Sequence, residues 1–398
     1  MNVANMLALA LLVAGCGGSG GTQNVPSPSP DSGDPPPAVG REDLQPRGRA
    51  YTVYVGAESA DLMHRVRLGP DGASVEKTTQ VGELSVETEG PHGFGRSPDG
   101  EYVYMTTGHG FPDGKLWKFH AGPDTMVAEP VLLGRFPATL DLTSDGLYAF
   151  VANFNLHGEH VSSTVSVVYT PDMIEVVQIE TCTMPHGARI DPAGTHLFSA
   201  CMRDDQVVEI DTRTFDVSRR FSVAKGREAS LETDTEDSQN GALGRDDGAS
   251  PTCSPTWAQP SAEGARVFVA CNGADVIHEI DRETWTLRRT FETGRGPYNL
   301  AVTPDGRLLV ATLKQGAKVQ FFDIETGASL AIAESSTTVT HGVVGSPDSR
   351  FAFVSVEGVG AEPGKVDIFD LTTFERVADV EVGQQAGGIT FWKMEDVN

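Results

Sequence analysis

The sequence predicts an all-β protein, a seven-bladed β-propeller in which one blade is closed by strands from both ends of the chain. Three observations carry this expectation. A turn motif recurs with a period in the forties, alternating strands flank each turn, and the first and last segments are each an incomplete blade.

The turn Ser97-Pro98-Asp99-Gly100 returns as Thr143-Ser144-Asp145-Gly146, Asp191-Pro192-Ala193-Gly194, Ser261-Ala262-Glu263-Gly264, Thr303-Pro304-Asp305-Gly306 and Ser346-Pro347-Asp348-Ser349. Successive starts lie 46, 48, 70, 42 and 43 residues apart. The long interval holds an acidic, apolar-poor insert at 226–250, and without these 25 residues it shrinks to 45. A period in the forties is the signature of four-stranded propeller blades. Pro at the second turn position presets φ, Asp bonds its own backbone, and Gly takes a conformation that a side chain would strain.

Before each turn lies a short inner strand, such as Asn299-Leu300-Ala301-Val302, and after it an alternating strand, such as Val267-Phe268-Val269-Ala270. A third strand ends in Ile210-Asp211-Thr212, Ile280-Asp281-Arg282, Phe322-Asp323-Ile324 or Phe369-Asp370-Leu371, and a more polar fourth strand, as at 287–292, closes the blade. No sustained helical periodicity interrupts this pattern. Six turns give six inner strands. Residues 50–83 supply three strands without an inner one, and 388–393 (GITFWK) supply an inner strand without a blade. Joining the two makes the seventh blade and removes the free sheet edges that would aggregate. The domain is expected to span 49–398.

Ahead of it, residues 6–14 (MLALALLVA) form an apolar run too short to span a bilayer. The run ends at Val13-Ala14-Gly15-Cys16, which resembles the lipobox of bacterial lipoprotein signals. That resemblance implies a signal peptide over 1–15 and lipidation of Cys16, with the protein anchored on the periplasmic side of the outer membrane or at the cell surface. It departs from the pattern in one respect, because residues 1–5 carry no Lys or Arg. Residues 16–48 are rich in Gly, Ser and Pro and read as an extended tether.

The formal net charge is −25. An acidic surface repels phosphate backbones and anionic lipid headgroups, which argues against nucleic-acid binding and against electrostatic membrane docking. Membrane association is expected through Cys16 alone, and the protein is expected to be a monomer.

The Ser-Pro-Asp-Gly turns, Phe150-Val151-Ala152-Asn153 and the Pro-His-Gly strand starts resemble the YVTN-repeat, YncE-like propeller family. The resemblance covers the whole domain and implies its fold. It implies no single activity, since related propellers include a copper-enzyme domain (nitrous oxide reductase), haem-binding nitrite reductase domains, lactonases and non-enzymatic binders.

In such a blade the loop leading into the inner strand and the loop after the second strand share one face, here called the mouth face. The Ser-Pro-Asp-Gly turns lie on the other. Of ten histidines, six fall on the mouth face: His92, His109, His157, His160, His186 and His341. The remaining four, His64, His120, His196 and His278, fall on outer strands or the opposite turns. Three histidines occupy one repeat position, in Pro91-His92-Gly93, Pro185-His186-Gly187 and Thr340-His341-Gly342. They belong to the second, fourth and seventh blades, so the imidazoles are expected around the channel mouth. The other blades carry Ala138, Thr256 or Trp257, Tyr298 and Gln385 there. The following Gly either exposes backbone to a ligand or permits a tight turn. Three readings stand. The imidazoles bond a neighbouring blade's backbone; His92, His186 and His341 hold a transition metal such as zinc, copper or iron; or they grip an organic ligand together with Tyr298.

Cys182 and Cys201 lie 19 residues apart, Cys253 and Cys271 18 apart, at equivalent places in adjacent blades. Two intrablade disulfides are expected in an oxidising compartment. The alternative is soft copper ligation, with Met184 and Met202 nearby. The insert carries Glu228, Glu232, Asp234, Glu236, Asp237, Asp246 and Asp247 in no calcium-loop spacing, and reads as a solvated flap or a lid. There is no phosphate loop, dinucleotide fingerprint or haem-attachment motif, and no catalytic residue stands out. The leading expectation is therefore a binding or scaffold propeller for an unknown protein or small molecule. A copper-like metal or redox protein and a lactonase-type hydrolase are the alternatives.

Overall fold

The computed structural model describes residues 46, 48–83, 87–109, 114–231 and 250–397. Cys16, its signal and most of the tether lie outside the described residues, as do positions 232–249 of the insert. The described chain is a β-propeller built almost wholly of short antiparallel strands, and its helical element is a single 3-10 turn at Glu58–Ala60.

One order of strands repeats around the ring. Inner strand Pro297–Val302 pairs with Leu308–Leu313, then Lys318–Asp323, then Ser329–Glu334. The second and third strands are buried almost throughout, whereas the outermost alternates between exposed and half-buried. This gradient follows the sequence: apolar β-branched and aromatic residues fill strands sandwiched between neighbouring sheets, and alternation returns where one face meets water. One hydrogen-bonded path carries nine strands, because inner strands Pro185–Ile190 and Pro255–Pro260 touch in parallel at Gly187 and Trp257. Divided at that junction, the described strands form seven antiparallel sheets. The first described residues of the insert add a strand, Ala229–Leu231, to the outer edge of Val217–Ser222.

The two chain ends meet in one sheet. Ala386–Asp396 lies innermost and pairs with Arg49–Ala57, which is followed by Leu62–Gly69 and Gly72–Gln80. The closing strand is longer than the expected 388–393. Asp348, in the last turn of the repeat, accepts hydrogen bonds from Tyr51 OH at 2.8 Å and from the Arg49 guanidinium at 3.0 Å. The Tyr51 and Phe351 rings pack edge-on at 5.0 Å in a core shared with Val53, Phe353 and Ile368. Fully burying an aromatic side chain of this kind stabilises by about 2–3 kcal/mol.

The recurrent turns work as their residue types require. Thr303 Oγ1 donates to Asp305 Oδ1 at 2.6 Å, and that oxygen also accepts the Arg307 amide at 3.1 Å. Thr303 Oγ1 in turn accepts the Leu308 amide at 2.9 Å. Ser97 with Asp99 and Thr143 with Asp145 build the same bracket. Gly306 closes the turn at φ +72°, while the last turn uses Ser349 at φ +58°.

Candidate functional site at the channel mouth

Each inner strand is led in by a residue in the left-handed conformation: Gly90, Phe136, Met184, Ser254, Gly296, Val339 and Gln385. Two residues later come His92, Ala138, His186, Thr256, Tyr298, His341 and Gly387. The seventh position is thus Gly387, and Gln385 belongs to the lead-in, a correction to the sequence register. The left-handed turn frees a carbonyl that accepts the amide of the residue just after the second strand of the same sheet. Glu58 donates to Gln385 at 3.0 Å, Lys314 to Gly296 at 2.8 Å and Glu357 to Val339 at 3.0 Å. This bond sets three ionisable side chains beside the imidazole-bearing strands.

Hydroxyl groups hold the histidine backbones. Thr312 Oγ1 donates to the His341 carbonyl at 2.7 Å, Thr256 Oγ1 to the Tyr298 carbonyl at 2.8 Å, and Thr139 Oγ1 to the His186 carbonyl. The Gly after each histidine has another purpose than ligand access or turn geometry. A Cβ on Gly93 would run into the Ala138 carbonyl, and one on Gly187 into that of Thr256. These glycines let the next inner strand approach.

The side chains converge on a mouth cavity of about 550 Å³, whose wall includes His92, His186, Tyr298, His341, Lys314 and Glu357. His92 and His341 rings lie 5.6 Å apart, His92 and His186 6.2 Å, and Tyr298 and His341 4.8 Å. The three imidazoles also ring a narrow waist beneath, a void of about 20 Å³. Glu58 joins them: its Oε1 accepts from His92 Nδ1 at 2.7 Å, and its Oε2 accepts from Gln385 at 3.0 Å and faces His109 Nε2 at 3.4 Å. His186 Nδ1 donates to the Thr256 carbonyl at 2.8 Å. A carbonyl can only accept, so in the neutral ring His186 Nε2 is the acceptor for Tyr298 OH at 3.1 Å. Both nitrogens of His186 are therefore engaged. His341 differs, because its Nδ1 is buried without a hydrogen-bond partner. Lys314 Nζ pairs with Glu357 at 2.9 Å and sits 4.2 Å above the Tyr298 ring.

Burial alone would raise the Glu58 carboxyl, but the His92 and His109 imidazoles outweigh it and hold the group well below the usual carboxylate range. Burial pushes His186 down to about 3, and with the charges of Lys314 and His92 it pushes His341 well below its ordinary value. Burial would also lower the Lys314 amine, but Tyr298 and Glu357 more than reverse this. Burial raises Glu357 against the pull of Lys314. The mouth thus combines an ionised carboxylate at Glu58, the neutral buried imidazoles of His186 and His341, and a retained ammonium at Lys314. It can hold a cation at Glu58, move a proton along Glu58–His92, and hydrogen-bond a polar ligand.

The structure brings His92, His186, Tyr298 and His341 together as the repeat register implies. His109 and His157 stand nearby, with rings 5.6 Å apart, while His160 is exposed. Both disulfides, Cys182–Cys201 and Cys253–Cys271, are formed. Each ties a lead-in to the end of the second strand of its own sheet, and beside Cys182–Cys201 the Met202 amide also donates to the Met184 carbonyl at 3.1 Å. With their sulfurs bonded to each other, the alternative of thiolate copper ligands falls. Sequence reasoning missed Glu58, Lys314 and Glu357. Their signal was positional: each directly follows a second strand, where other sheets carry Phe154 and Met202.

No family model matches this chain, and no curated protein does. Among solved structures it is similar to the periplasmic gluconolactonase PpgL of Pseudomonas aeruginosa, with TM-score 0.65 and 18% identity over 86% of this chain and 99% of that one. It is also similar to hydrazine synthase of Kuenenia stuttgartiensis, with TM-score 0.59 and 14% identity over 84% of this chain and 92% of that one. At such identities the likeness is one of fold.

Proposed function

We propose that this protein is an exported binding propeller that takes a small polar ligand at its channel mouth. The observation that carries the reading is the convergence of His92, His186, Tyr298 and His341 on one cavity of about 550 Å³, with Lys314 and Glu357 beside them. That volume falls in the range of small-molecule sites, which combine apolar lining with a few directional polar groups. Phe136, Phe154 and Tyr298 supply ring surface, and the charged groups supply the directional bonds. This combination fits a sugar acid or a related polyol. Export is supported by the two disulfides and by the apolar run at 6–14, and anchoring through Cys16 by the lipobox resemblance.

A second reading is lactone hydrolysis. It is supported by the fold likeness to the periplasmic gluconolactonase and by the Glu58–His92 pair, which can accept and return a proton. Calorimetric titration of the full chain with D-gluconate tests the binding reading. Saturable heat that disappears in Lys314→Met is expected; no saturable heat would overturn this ligand class. Acid release from D-gluconolactone above its spontaneous rate would decide for hydrolysis, and a rate equal to the spontaneous one would remove that reading.

A further inference from the structure

We propose that Glu58, His92 and His341 form a mononuclear site for a first-row divalent transition ion, opening into the mouth cavity. One ligand atom from each residue can be chosen so that all three lie within 4.8 Å of one another. All three residues are buried; His92 and His341 lie on inner strands of different sheets, and Glu58 sits in the 3-10 turn that follows a second strand of a third. Two imidazoles with one carboxylate make a donor set used for zinc and for non-haem iron.

Three independent features favour an ion over a purely structural cluster. His341 Nδ1 is buried with no hydrogen-bond partner, although burying a polar atom unpaired is unfavourable. Gly387 stands at the repeat position that holds a histidine in three other sheets, and any Cβ there would run into Glu58 Oε1. The loss of that side chain is what admits the carboxylate. Finally, the carboxylate is itself oriented: Gln385 donates to Glu58 Oε2 at 3.0 Å, and His109 stands 3.4 Å from the same oxygen. Outer partners of this kind orient metal ligands.

His186 stays outside the set. Its two nitrogens serve Thr256 and Tyr298, so the donors are two histidines and Glu58 rather than three histidines. With bonds of about 2.0–2.1 Å, a tetrahedral ion holds its ligand atoms about 3.3 Å apart. The Glu58–His92 contact of 2.7 Å is shorter than that, so on binding their hydrogen bond gives way to bonds with the ion. A fourth position faces the cavity, where water or ligand completes the coordination.

The full chain, stripped by dialysis against EDTA, is titrated with Co2+ and followed by its visible d–d absorption. One Co2+ per chain is expected, with the spectrum of a four- or five-coordinate ion, displaced by Zn2+. Glu58→Gln, His92→Ala and His341→Ala are each expected to weaken binding by about tenfold or more. His120→Ala and His160→Ala, which remove exposed histidines, are expected to leave it unchanged. Absence of stoichiometric Co2+ would overturn the proposal, as would parental affinity in His92→Ala or His341→Ala. If a histidine variant fails to fold, the nearly isosteric Glu58→Gln decides: parental Co2+ affinity in that folded variant overturns the site.

Discussion

The Glu58 carboxylate meets the His92 imidazole at 2.7 Å across the boundary between two sheets. Glu58 follows a second strand in the sheet that joins the chain ends, and His92 opens the inner strand of the next. The space for this contact comes from Gly387. Gly387→Ala is therefore expected to displace the carboxylate while leaving the fold intact. The change should lower Co2+ affinity about tenfold and lower stability by no more than about 1–3 kcal/mol, the usual cost of mild overpacking. Parallel Co2+ titration and urea unfolding check both parts, and unchanged Co2+ affinity would refute the role given to Gly387.

The disulfides Cys182–Cys201 and Cys253–Cys271 each close a short loop between a lead-in and the end of a second strand. Replacing either pair by Ala is expected to cost about 3 kcal/mol, because the unfolded chain regains loop entropy. Urea midpoints measure this. Thiol titration of the denatured, unreduced full chain should find no more than one reactive sulfur, that of Cys16; two or more would contradict the bonded state.

The Tyr51–Asp348 bond at ring closure makes stability depend on pH at both extremes. Burial raises the Tyr51 phenol, with help from Asp348, up to about 12. A folded value above the ordinary 10.0 contributes stability that is fully present below about pH 10 and is lost as pH rises toward about 12. Asp348 behaves in the opposite sense. Burial would raise its carboxyl, but Ser346, Tyr51, the Arg350 amide and Arg49 hold it below the ordinary carboxylate value. Its contribution is present above that ordinary value and is lost as pH falls through the folded one. Tyr51→Phe should flatten the alkaline loss in part, since Tyr54 and Tyr104 are also raised to about 12. Urea midpoints from pH 9 to 12 would show it; an unaltered slope would refute the assignment.

Cys16→Ser is expected to move the protein from the membrane fraction to the soluble periplasm of a Gram-negative host and to abolish palmitate labelling. Continued sedimentation of the variant with membranes would refute the anchor.

Much of the fold was legible because its code is local. The Ser-Pro-Asp-Gly turns, the alternating second strands and the Pro-His-Gly starts are satisfied within a few residues, so their period exposes the repeating sheet. The disulfide pairs were legible for the same reason, since both cysteines of each pair occupy defined positions in a single repeat. The alignment slipped at Gln385, where no Pro marks the strand start and Gly387 resembles nothing at the matching positions.

The site was only half legible. Sequence alone determined that His92, His186 and His341 share a register, and register places them on the inner strands around one channel. The tertiary structure decided which nitrogens are already engaged, because Thr256 and Tyr298 reach His186 from neighbouring sheets. It also decided that Glu58 stands beside His92, a contact that depends on Arg49–Ala57 and Ala386–Asp396, from opposite ends of the chain, pairing in one sheet. A repeat records what each sheet contributes to the mouth. Which contributions touch depends on ring closure, and so on contacts between residues hundreds of positions apart.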